Sequence, residues 1–252
     1  MARIFITGSS DGLGSLTAQR LIKQGHTVVL HARNAQRAAD AKKACPGSEA
    51  VLVADLTSID ETKQLAADAN KLGPFDCVLH NAGLYLGMEN VLGKSGLPSL
   101  FTVNTLAPYI LTCLMDKPKR LVYVSSAMHR DGSLKLDSLE APGGSLYVDS
   151  KLQDLVLAKA FARLFGEGVE SNAVDPGWVP TKMGGESAPG DLEAAIKCFA
   201  MVAMGEGAAK GKTGAYFFNS AEDHYLKVAD EETAQDALLK RLAGISGVEL
   251  PK

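Results

Sequence analysis

Short apolar segments alternate with longer amphipathic segments along almost the whole chain, and this order restricts the fold more than any other feature of the sequence. Seven apolar segments have the length of buried strands, and the segments between them repeat apolar residues about every 3.6 positions, as helices do. Such an order predicts an α/β fold with one doubly wound parallel sheet of about seven strands, covered by helices on both faces. The predicted strands are Arg3–Thr7, Thr27–His31, Ala50–Ala54, Asp76–His80, Arg120–Ser125, Glu170–Val174 and Ala215–Asn219.

The segments between the strands predict the helices. Leucines from Leu13 to Leu21 mark one helix, and apolar residues from Ile59 to Leu72 mark another. A third helix is predicted from about Tyr147 to Phe165, where Gly166 ends it. Because no Pro-, Gly- or Ser-rich linker divides the chain into two halves, residues 1–252 are predicted to form a single domain.

Composition and charge exclude several classes of protein. With a formal net charge of −3, the chain has no excess of basic residues to neutralise phosphates, so we expect no nucleic-acid partner. No segment approaches the roughly 18 apolar residues of a membrane helix, so we expect no membrane partner. The cysteines Cys45, Cys77, Cys113 and Cys198 form no C-x-x-C pair, and the histidines have no ligand spacing, so no metal is expected. A strand beginning at Arg3 leaves no room for a signal peptide, which predicts a cytoplasmic location.

A glycine-rich turn follows the first predicted strand and opens the first helix. Its sequence is Thr7-Gly8-Ser9-Ser10-Asp11-Gly12-Leu13-Gly14. Glycine lets the backbone approach a pyrophosphate closely, and the start of a helix offers free N–H groups and the positive end of the helix dipole. At the first turn of an alternating sheet, this pattern predicts a dinucleotide-binding site.

A tyrosine and a lysine stand four residues apart at the start of the third helix, at Tyr147 and Lys151. This spacing places both side chains on one helical face. A free phenol, with a pKa of about 10, exchanges protons poorly at neutral pH, so a neighbouring ammonium that favours the phenolate makes it a better acid and base. In isolation, such a pattern is also typical of a pair on the protein surface.

These motifs together resemble the short-chain dehydrogenase/reductase family, and the resemblance extends over nearly the whole chain. The family loop T-G-x-x-x-G-x-G matches the turn from Thr7 to Gly14, its aspartate after the third strand matches Asp55, and its N-A-G turn matches Asn81–Gly83. Taken singly, Asp55 is also typical of a helix cap and Asn81–Gly83 of a simple turn. The resemblance implies a Rossmann-type NAD(P)-binding domain in which the cofactor contacts Gly8, Ser10, Gly12, Leu13, Gly14, Arg33, Asp55, Leu56, Asn81, Ala82, Gly83, Tyr147, Lys151, Pro176, Gly177, Val179 and Thr181.

The same resemblance implies the catalytic residues. They are Asn104, Ser126, Tyr147 and Lys151, where the serine binds the substrate oxygen and the asparagine holds a water next to the lysine. Ser125 is an alternative to Ser126, and a buried amide bonded to backbone is an alternative role for Asn104. The segment between Ser126 and Tyr147 is longer than in compact members and resembles the insert of retinol-dehydrogenase-like members.

The end of the second strand bears on the choice of cofactor. Members that prefer NAD usually have an acidic residue where this chain has Ala32, and Arg33 follows. Because an arginine can bind a 2′-phosphate that a carboxylate would repel, NADP(H) is favoured. NAD(H) stays an alternative, because many NADP-preferring relatives have a basic residue where this chain has Asp11.

The sequence therefore predicts hydride transfer between NADP(H) and a small carbonyl or alcohol that has an apolar part. A regulator that senses NADP(H) without chemistry is the alternative. A mobile substrate loop is predicted around residues 183–212, although Met183–Gly190 is also typical of a surface loop. The apolar residues at Ala194–Met204 indicate either a wall of the substrate pocket or a contact between the subunits of a homo-oligomer. Trp178 is predicted either to line the nicotinamide side of the pocket or to pack in the core.

Overall fold

The computed structural model describes residues 1–251, and the strands of this part of the chain form one sheet. The strands are β1 (Arg3–Ile6), β2 (Thr27–Ala32), β3 (Ala50–Val53), β4 (Cys77–His80), β5 (Arg120–Val124), β6 (Glu170–Asp175), β7 (Tyr216–Phe218) and β8 (Ala221–Glu222). Across the sheet they lie in the order β3-β2-β1-β4-β5-β6-β7-β8. Strands β1 to β7 run parallel, as predicted, whereas the short β8 pairs antiparallel with β7 and was not predicted.

The strands are apolar on both sides because helices cover both faces of the sheet. In β1, Phe5 points into one core while Ile4 and Ile6 point into the other, and all three are fully buried. Side chains alternate in direction along a strand, so a strand between two helical layers needs a continuous apolar run. This requirement explains why the central strands show no alternation between apolar and polar residues.

The helices fall into two layers. Helices α3, α5, α6 and α8 pack on the side of Phe5, and α1 and α7 pack against each other on the side of Ile4 and Ile6. The helices are α1 (Gly12–Lys23), α2 (Ala35–Ala44), α3 (Ile59–Leu72), α4 (Ser99–Phe101), α5 (Ala107–Leu114), α6 (Tyr147–Phe165), α7 (Leu192–Met204) and α8 (Glu232–Ser246), with a π-helical turn at Thr102–Leu106 and 3₁₀ helices at Ala127–Asp131, Gly207–Ala209 and Lys227–Asp230. The predicted bounds of α6 are confirmed, and Gly166 follows it with a φ of +58°.

Helix α7 corrects the prediction of one loop over residues 183–212. Asp191 accepts a hydrogen bond from the backbone N–H of Ala194 and so caps a helix of 13 residues. The helix buries Ile196, Phe199 and Val202 against the sheet. These three side chains therefore belong to the core of the chain. For the other residues of Ala194–Met204 the substrate wall and the oligomer contact stay predictions, as does the mobility of the segments on either side of α7.

The order of the strands reverses between β1 and β4. From β1 the chain builds the sheet outward through β2 to β3, and then it returns to place β4 on the other side of β1. At such a switch point the loops after neighbouring strands separate and leave a crevice at their carboxyl ends. The turns after β1, β4, β5 and β6 contain the glycine turn, the N-A-G turn, the two serines and Pro176-Gly177. Among the residues described, none of the helices combines the length and apolar character needed to cross a bilayer.

Candidate active site

The glycine turn after β1 is hydrogen-bonded to the N-A-G turn after β4. The hydroxyl oxygen of Thr7 accepts hydrogen bonds of 3.0 Å from the backbone N–H groups of both Asn81 and Ala82. In return, the Asn81 side chain donates to the carbonyl oxygens of Thr7 at 2.9 Å and Gly8 at 3.1 Å. Two motifs about 70 residues apart in the sequence therefore form one rigid floor at the switch point.

Two glycines of the turn have a steric reason for being glycine. Gly8 has a φ of +62°, and a Cβ placed on it would lie 2.7 Å from the Cα of Ala82. A Cβ on Gly14 would collide with the Nδ2 atom of Asn81 and lie 2.8 Å from the carbonyl oxygen of Gly8. Gly12 differs, because a Cβ placed on it would meet no atom within 4 Å, and glycine is favoured there by its φ of +55° alone. The two turns can approach this closely only without side chains at Gly8 and Gly14.

The start of α1 faces this floor without a capping side chain. Asp11 stands at the N-cap position but makes no capping hydrogen bond, because its carboxylate is paired with the Arg37 guanidinium. The N–H groups of the first turn therefore face the cleft at the positive end of the helix dipole. A pyrophosphate fits such a place.

His31, in β2, supports the glycine turn from the side of the sheet, and no motif in the sequence marks it. Its Nδ1 accepts a hydrogen bond of 2.9 Å from the backbone N–H of Gly8, and its Nε2 lies 2.9 Å from the carbonyl oxygen of Ala54. Burial lowers the pKa of His31 to about 4, so the imidazole is neutral at physiological pH and can accept from Gly8. In the sequence, His31 was only the last residue of a strand.

A cleft of about 480 Å³ extends from this floor along the carboxyl ends of the strands. Most of the residues predicted to bind cofactor line it, namely Gly8, Ser10, Gly12, Leu13, Gly14, Arg33, Asp55, Leu56, Asn81, Ala82, Gly83, Tyr147, Lys151, Pro176 and Thr181. Gly177 and Val179 are not among the lining residues, nor are Asn104 and Ser126. Lining residues that the sequence analysis did not single out include Arg37, Thr57, Leu84, Met88, Lys182 and Met183.

Asp55 is positioned by the chain around it. Its Oδ1 accepts hydrogen bonds from the backbone N–H of Thr57 at 3.0 Å and from the Thr57 hydroxyl at 2.8 Å, while Lys94 lies 3.5 Å from Oδ2. Burial disfavours the charged carboxylate, but these partners outweigh it and lower the pKa of Asp55. The carboxylate lines the cleft and is also part of a local turn, so the two interpretations are compatible.

Two guanidinium groups lie at the β2 end of the cleft. Arg33 is exposed and lines the cleft, and Arg37 lines it from the first turn of α2. Many NADP-preferring relatives have a basic residue just before the glycine that is Gly12 here. In this chain Asp11 holds that position, and Arg37 brings a guanidinium to the same place by pairing with Asp11. The aspartate that weakened the sequence argument for NADP therefore belongs to a charged cluster that includes an arginine.

Tyr147 and Lys151 lie on one face of α6 at the opposite end of the cleft. The Lys151 Nζ is 5.6 Å from the centre of the Tyr147 ring, and Tyr85 packs edge-on against that ring at a centroid distance of 4.7 Å. Burial raises the pKa of Tyr147, and the Lys151 ammonium partly offsets this rise. The phenol is therefore held between an aromatic edge and a cation, next to open space.

The Lys151 ammonium has two fixed partners. It donates hydrogen bonds of 2.8 Å to the carbonyl oxygen of Val124, at the end of β5, and to Oδ2 of Asp154 on the next turn of α6. Both charged side chains are almost fully buried. Burial disfavours the ammonium, but the Asp154 carboxylate, together with Tyr147 and Asp175, outweighs burial and raises the pKa of Lys151. The third N–H of the ammonium is left for a group in the cleft.

Asn104 lies in the π-helical turn, where the regular α-helical hydrogen bonding is interrupted. Its Oδ1 accepts from the backbone N–H of Leu84 at 2.7 Å, and its Nδ2 donates to the Leu84 carbonyl oxygen at 3.1 Å and to the Ser150 hydroxyl at 3.0 Å. A Cβ on Gly83 would lie 3.6 Å from Asn104 and 3.8 Å from Lys151. The amide thus joins the loop after β4 to α6 beside the ammonium.

The two serines after β5 have different partners. Ser125 donates a hydrogen bond of 2.7 Å to the carbonyl oxygen of Lys151, which ties α6 to the sheet. Ser126 accepts a hydrogen bond of 3.3 Å from the backbone N–H of Met128 at the start of the 3₁₀ helix. Ser125 lines the cleft, but its hydroxyl proton is occupied, whereas the hydroxyl proton of Ser126 has no acceptor in the part of the chain described.

The turn after β6 is fastened by Asp175. Its carboxylate accepts hydrogen bonds from the backbone N–H groups of Gly177 at 2.7 Å and Ala127 at 2.8 Å. Pro176 and Thr181 line the cleft, whereas Val179 is buried. Trp178 is 61% exposed and donates to the carbonyl oxygen of Gly184, so it belongs neither to the core nor to the lining of the cleft.

The sequence model of the short chain dehydrogenase family matches residues 2–191, which is most of the chain. The chain belongs to the short chain dehydrogenase family. It is 49% identical to an uncharacterized oxidoreductase of Emericella nidulans, over all of this chain and 99% of that protein. It is also 39% identical to the short-chain dehydrogenase chyC of Penicillium rubens, over the full length of both.

Solved structures share the fold of this short chain dehydrogenase. A putative uncharacterized protein from Mycobacterium paratuberculosis has a TM-score of 0.79 at 21% identity, covering all of this chain and 96% of that one. A blue fluorescent protein from a metagenomic library, solved in complex with NADPH, has a TM-score of 0.68 at 22% identity, covering 86% and 95% of the two chains. These likenesses establish the doubly wound fold, while the retinol-dehydrogenase-like character of the segment between Ser126 and Tyr147 stays a prediction.

Proposed function

We propose that this short chain dehydrogenase transfers hydride between NADP(H) and the carbonyl or alcohol group of a small substrate. The observation that carries the proposal is the position of Tyr147 and Lys151. Both line one end of a cleft whose other end has a glycine floor, an uncapped helix start and two arginines. A nicotinamide dinucleotide fits this order of groups, and when bound it would supply or accept the hydride.

In the proposed reaction, Tyr147 is the general acid and base. During reduction its phenol gives a proton to the substrate oxygen, and during oxidation the phenolate takes that proton back. Lys151 opposes the effect of burial on the phenol and offers its free N–H to the cofactor ribose. Ser126 would donate a hydrogen bond to the substrate oxygen, and Asn104 would hold the loop after β4 next to Lys151.

The preference for NADP(H) rests on Arg33 and Arg37. A guanidinium forms paired, charge-assisted hydrogen bonds with a phosphate. The end of β2 has Ala32 where a carboxylate would repel that phosphate, and Arg37 is paired with Asp11. NAD(H) has no 2′-phosphate, so these charges would add nothing to its affinity. Asp55 and the N-A-G turn are proposed to hold the adenosine half, and Pro176, Gly177, Val179 and Thr181 the nicotinamide half.

The substrate is proposed to have an apolar part, because Leu84, Met88 and Met183 border the cleft that contains Tyr147. We also propose a cytoplasmic location, which the four free, buried cysteines support, since a reducing compartment keeps thiols unpaired. A homo-oligomer is proposed from the sequence argument alone.

A spectrophotometric assay tests the function. Purified protein is given NADPH and a panel of aldehydes, ketones and quinones, and in a second series NADP⁺ with alcohols, with NADH and NAD⁺ in parallel. We expect turnover of at least one carbonyl class, with NADPH preferred. Tight binding of NADPH without turnover of any substrate would instead favour the NADP(H)-sensing regulator.

A further inference from the structure

The structure assigns a role to Asp154, which none of the motifs includes. We propose that Asp154 is a positioning residue: its carboxylate holds the Lys151 ammonium at the end of β5 and limits the positive charge that reaches Tyr147. This inference rests on the proposed function, because Tyr147 matters only if it exchanges a proton. The geometry of the ion pair itself does not depend on that function.

The position of Asp154 supports this role. Its side chain is 4% exposed and lies one turn beyond Lys151 on the same face of α6, with Oδ2 2.8 Å from Nζ. A buried carboxylate is costly unless a cation offsets its charge, so this pair is unlike an exposed i,i+3 pair on a helix. Together, Asp154 and Val124 take two of the three N–H groups and direct the third toward the cleft beside Gly83.

The charge of Asp154 opposes the effect of Lys151 on the phenol. The ammonium lowers the pKa of Tyr147, whereas the carboxylates of Asp154 and, more weakly, Asp175 raise it, in addition to the larger effect of burial. Tyr85, from the loop after β4, also faces Tyr147, and Tyr123, in β5, faces Asp154. With Asp154 neutral, the first proton would leave the Tyr147–Lys151 pair at a lower pH.

Helix α6 contains a second lysine–carboxylate pair two turns further on, in which the carboxylate is 43% exposed, and this pair serves as a control. Lys159 is also buried, donates 2.8 Å to a backbone carbonyl oxygen, that of Gly214, and pairs with Asp230 at 2.6 Å. This second pair lies outside the cleft. Asp230→Asn therefore removes a carboxylate from a lysine of the same helix without touching Tyr147.

The test compares Asp154→Asn with Asp230→Asn by ultraviolet titration of tyrosinate. Each variant is measured against the same variant carrying Tyr147→Phe, so that the difference reports Tyr147 alone. We expect Asp154→Asn to shift the Tyr147 titration to lower pH by about half a unit or more, and Asp230→Asn to leave it in place. Asp154→Glu, which keeps the charge, should restore the wild-type titration. A titration in Asp154→Asn that superimposes on the wild type overturns the proposal.

A second neutral variant and an activity readout complete the experiment. Asp154→Ser tests the charge with a smaller group if the amide packs poorly, and an unshifted titration in that folded variant also overturns the proposal. With an active substrate, the pH profile of kcat/KM for alcohol oxidation should move with the titration. Absence of turnover in the wild type would contradict the proposed function, whereas a shifted titration in the same protein would still support the role of Asp154.

Discussion

The imidazole of His31 and the backbone of Gly8 are joined by a hydrogen bond of 2.9 Å, in which Gly8 donates and Nδ1 accepts. The bond exists only while the imidazole is neutral, because a protonated ring has a donor at both nitrogens. It connects the buried end of β2 to the glycine turn that forms the floor of the cleft. Acid should therefore act on the site through this residue.

We predict that the wild type is more stable to unfolding than the His31→Gln variant near neutral pH, and that this difference shrinks as the pH falls. Burial lowers the pKa of His31 from 6.5 to about 4 in the folded protein, so only the unfolded chain takes up a proton between these values. The stability due to His31 is thus present above about pH 6.5 and is lost toward about pH 4, with a total of about 3 kcal/mol.

Urea unfolding of both proteins at about pH 7 and about pH 4.5 measures the effect. Glutamine keeps a donor and an acceptor but does not titrate, while His80, also buried, is common to both proteins and cancels in the comparison. A free-energy difference between the two proteins that stays constant over this range would contradict the assignment.

A second prediction concerns Gly14. The change Gly14→Ala should lower the free energy of unfolding by about 1–3 kcal/mol and weaken NADPH binding, because the new Cβ would push the Asn81 side chain off the glycine turn. Gly244 provides the control, since it is an exposed helical glycine with no atom near its Cβ position. Gly244→Ala should raise stability by about 0.5–1 kcal/mol without altering NADPH binding. Equal effects at the two positions would show that the glycine turn is not sterically constrained.

The third prediction separates NADP(H) from NAD(H). Arg33→Ala should weaken NADPH binding by about tenfold or more while changing NADH binding by less than about twofold, because only NADPH has a 2′-phosphate for the guanidinium. Isothermal titration calorimetry measures both affinities. Arg20→Ala, which removes an arginine paired with Glu193 away from the cleft, is the control. Parallel weakening of both cofactors by Arg33→Ala would show that this arginine does not read the phosphate.

The fourth prediction distinguishes the two serines after β5. Ser126→Ala should lower kcat by about a hundredfold with little loss of stability, because its hydroxyl proton is available to a substrate oxygen. Ser125→Ala should instead cost about 0.5–1.5 kcal/mol of stability, since its hydroxyl is bonded to the Lys151 carbonyl. Kinetics and urea unfolding of both variants test this, and a larger loss of kcat in Ser125→Ala would exchange the two roles.

Where strands end, the sequence was enough to predict which residues lie together at the cleft. Residues after β1, β4, β5 and β6 must meet at one edge of a parallel sheet, so motifs such as Asn81–Gly83 and Pro176 could be placed before any contact was known. Contacts between side chains could not be predicted in this way. Periodicity indicates only that His31 and Asp154 are on strand or helix, not that one bonds Gly8 and the other Lys151.

The two corrections to the fold have similar causes. Strand β8 has two residues, which is too short for any apolar pattern, and it forms because β7 offers an edge. The glycines and small residues of Met183–Gly190 favoured a loop that was extended to residue 212, although Ile196, Phe199 and Val202 follow helical spacing. Their burial against α1 and the sheet stabilises α7, and this depends on tertiary packing that local composition does not report.

The most direct test of the proposed chemistry is the change Tyr147→Phe, which removes one oxygen and leaves the ring packed against Tyr85. Turnover of the best carbonyl substrate and the dissociation constant of NADPH should be measured on the same preparation. We predict that kcat falls by about a thousandfold or more while the NADPH dissociation constant changes by less than about twofold. The phenol oxygen transfers the proton but contributes little to the affinity for NADPH. Turnover within a few fold of the wild type would contradict the role of Tyr147 as the proton donor.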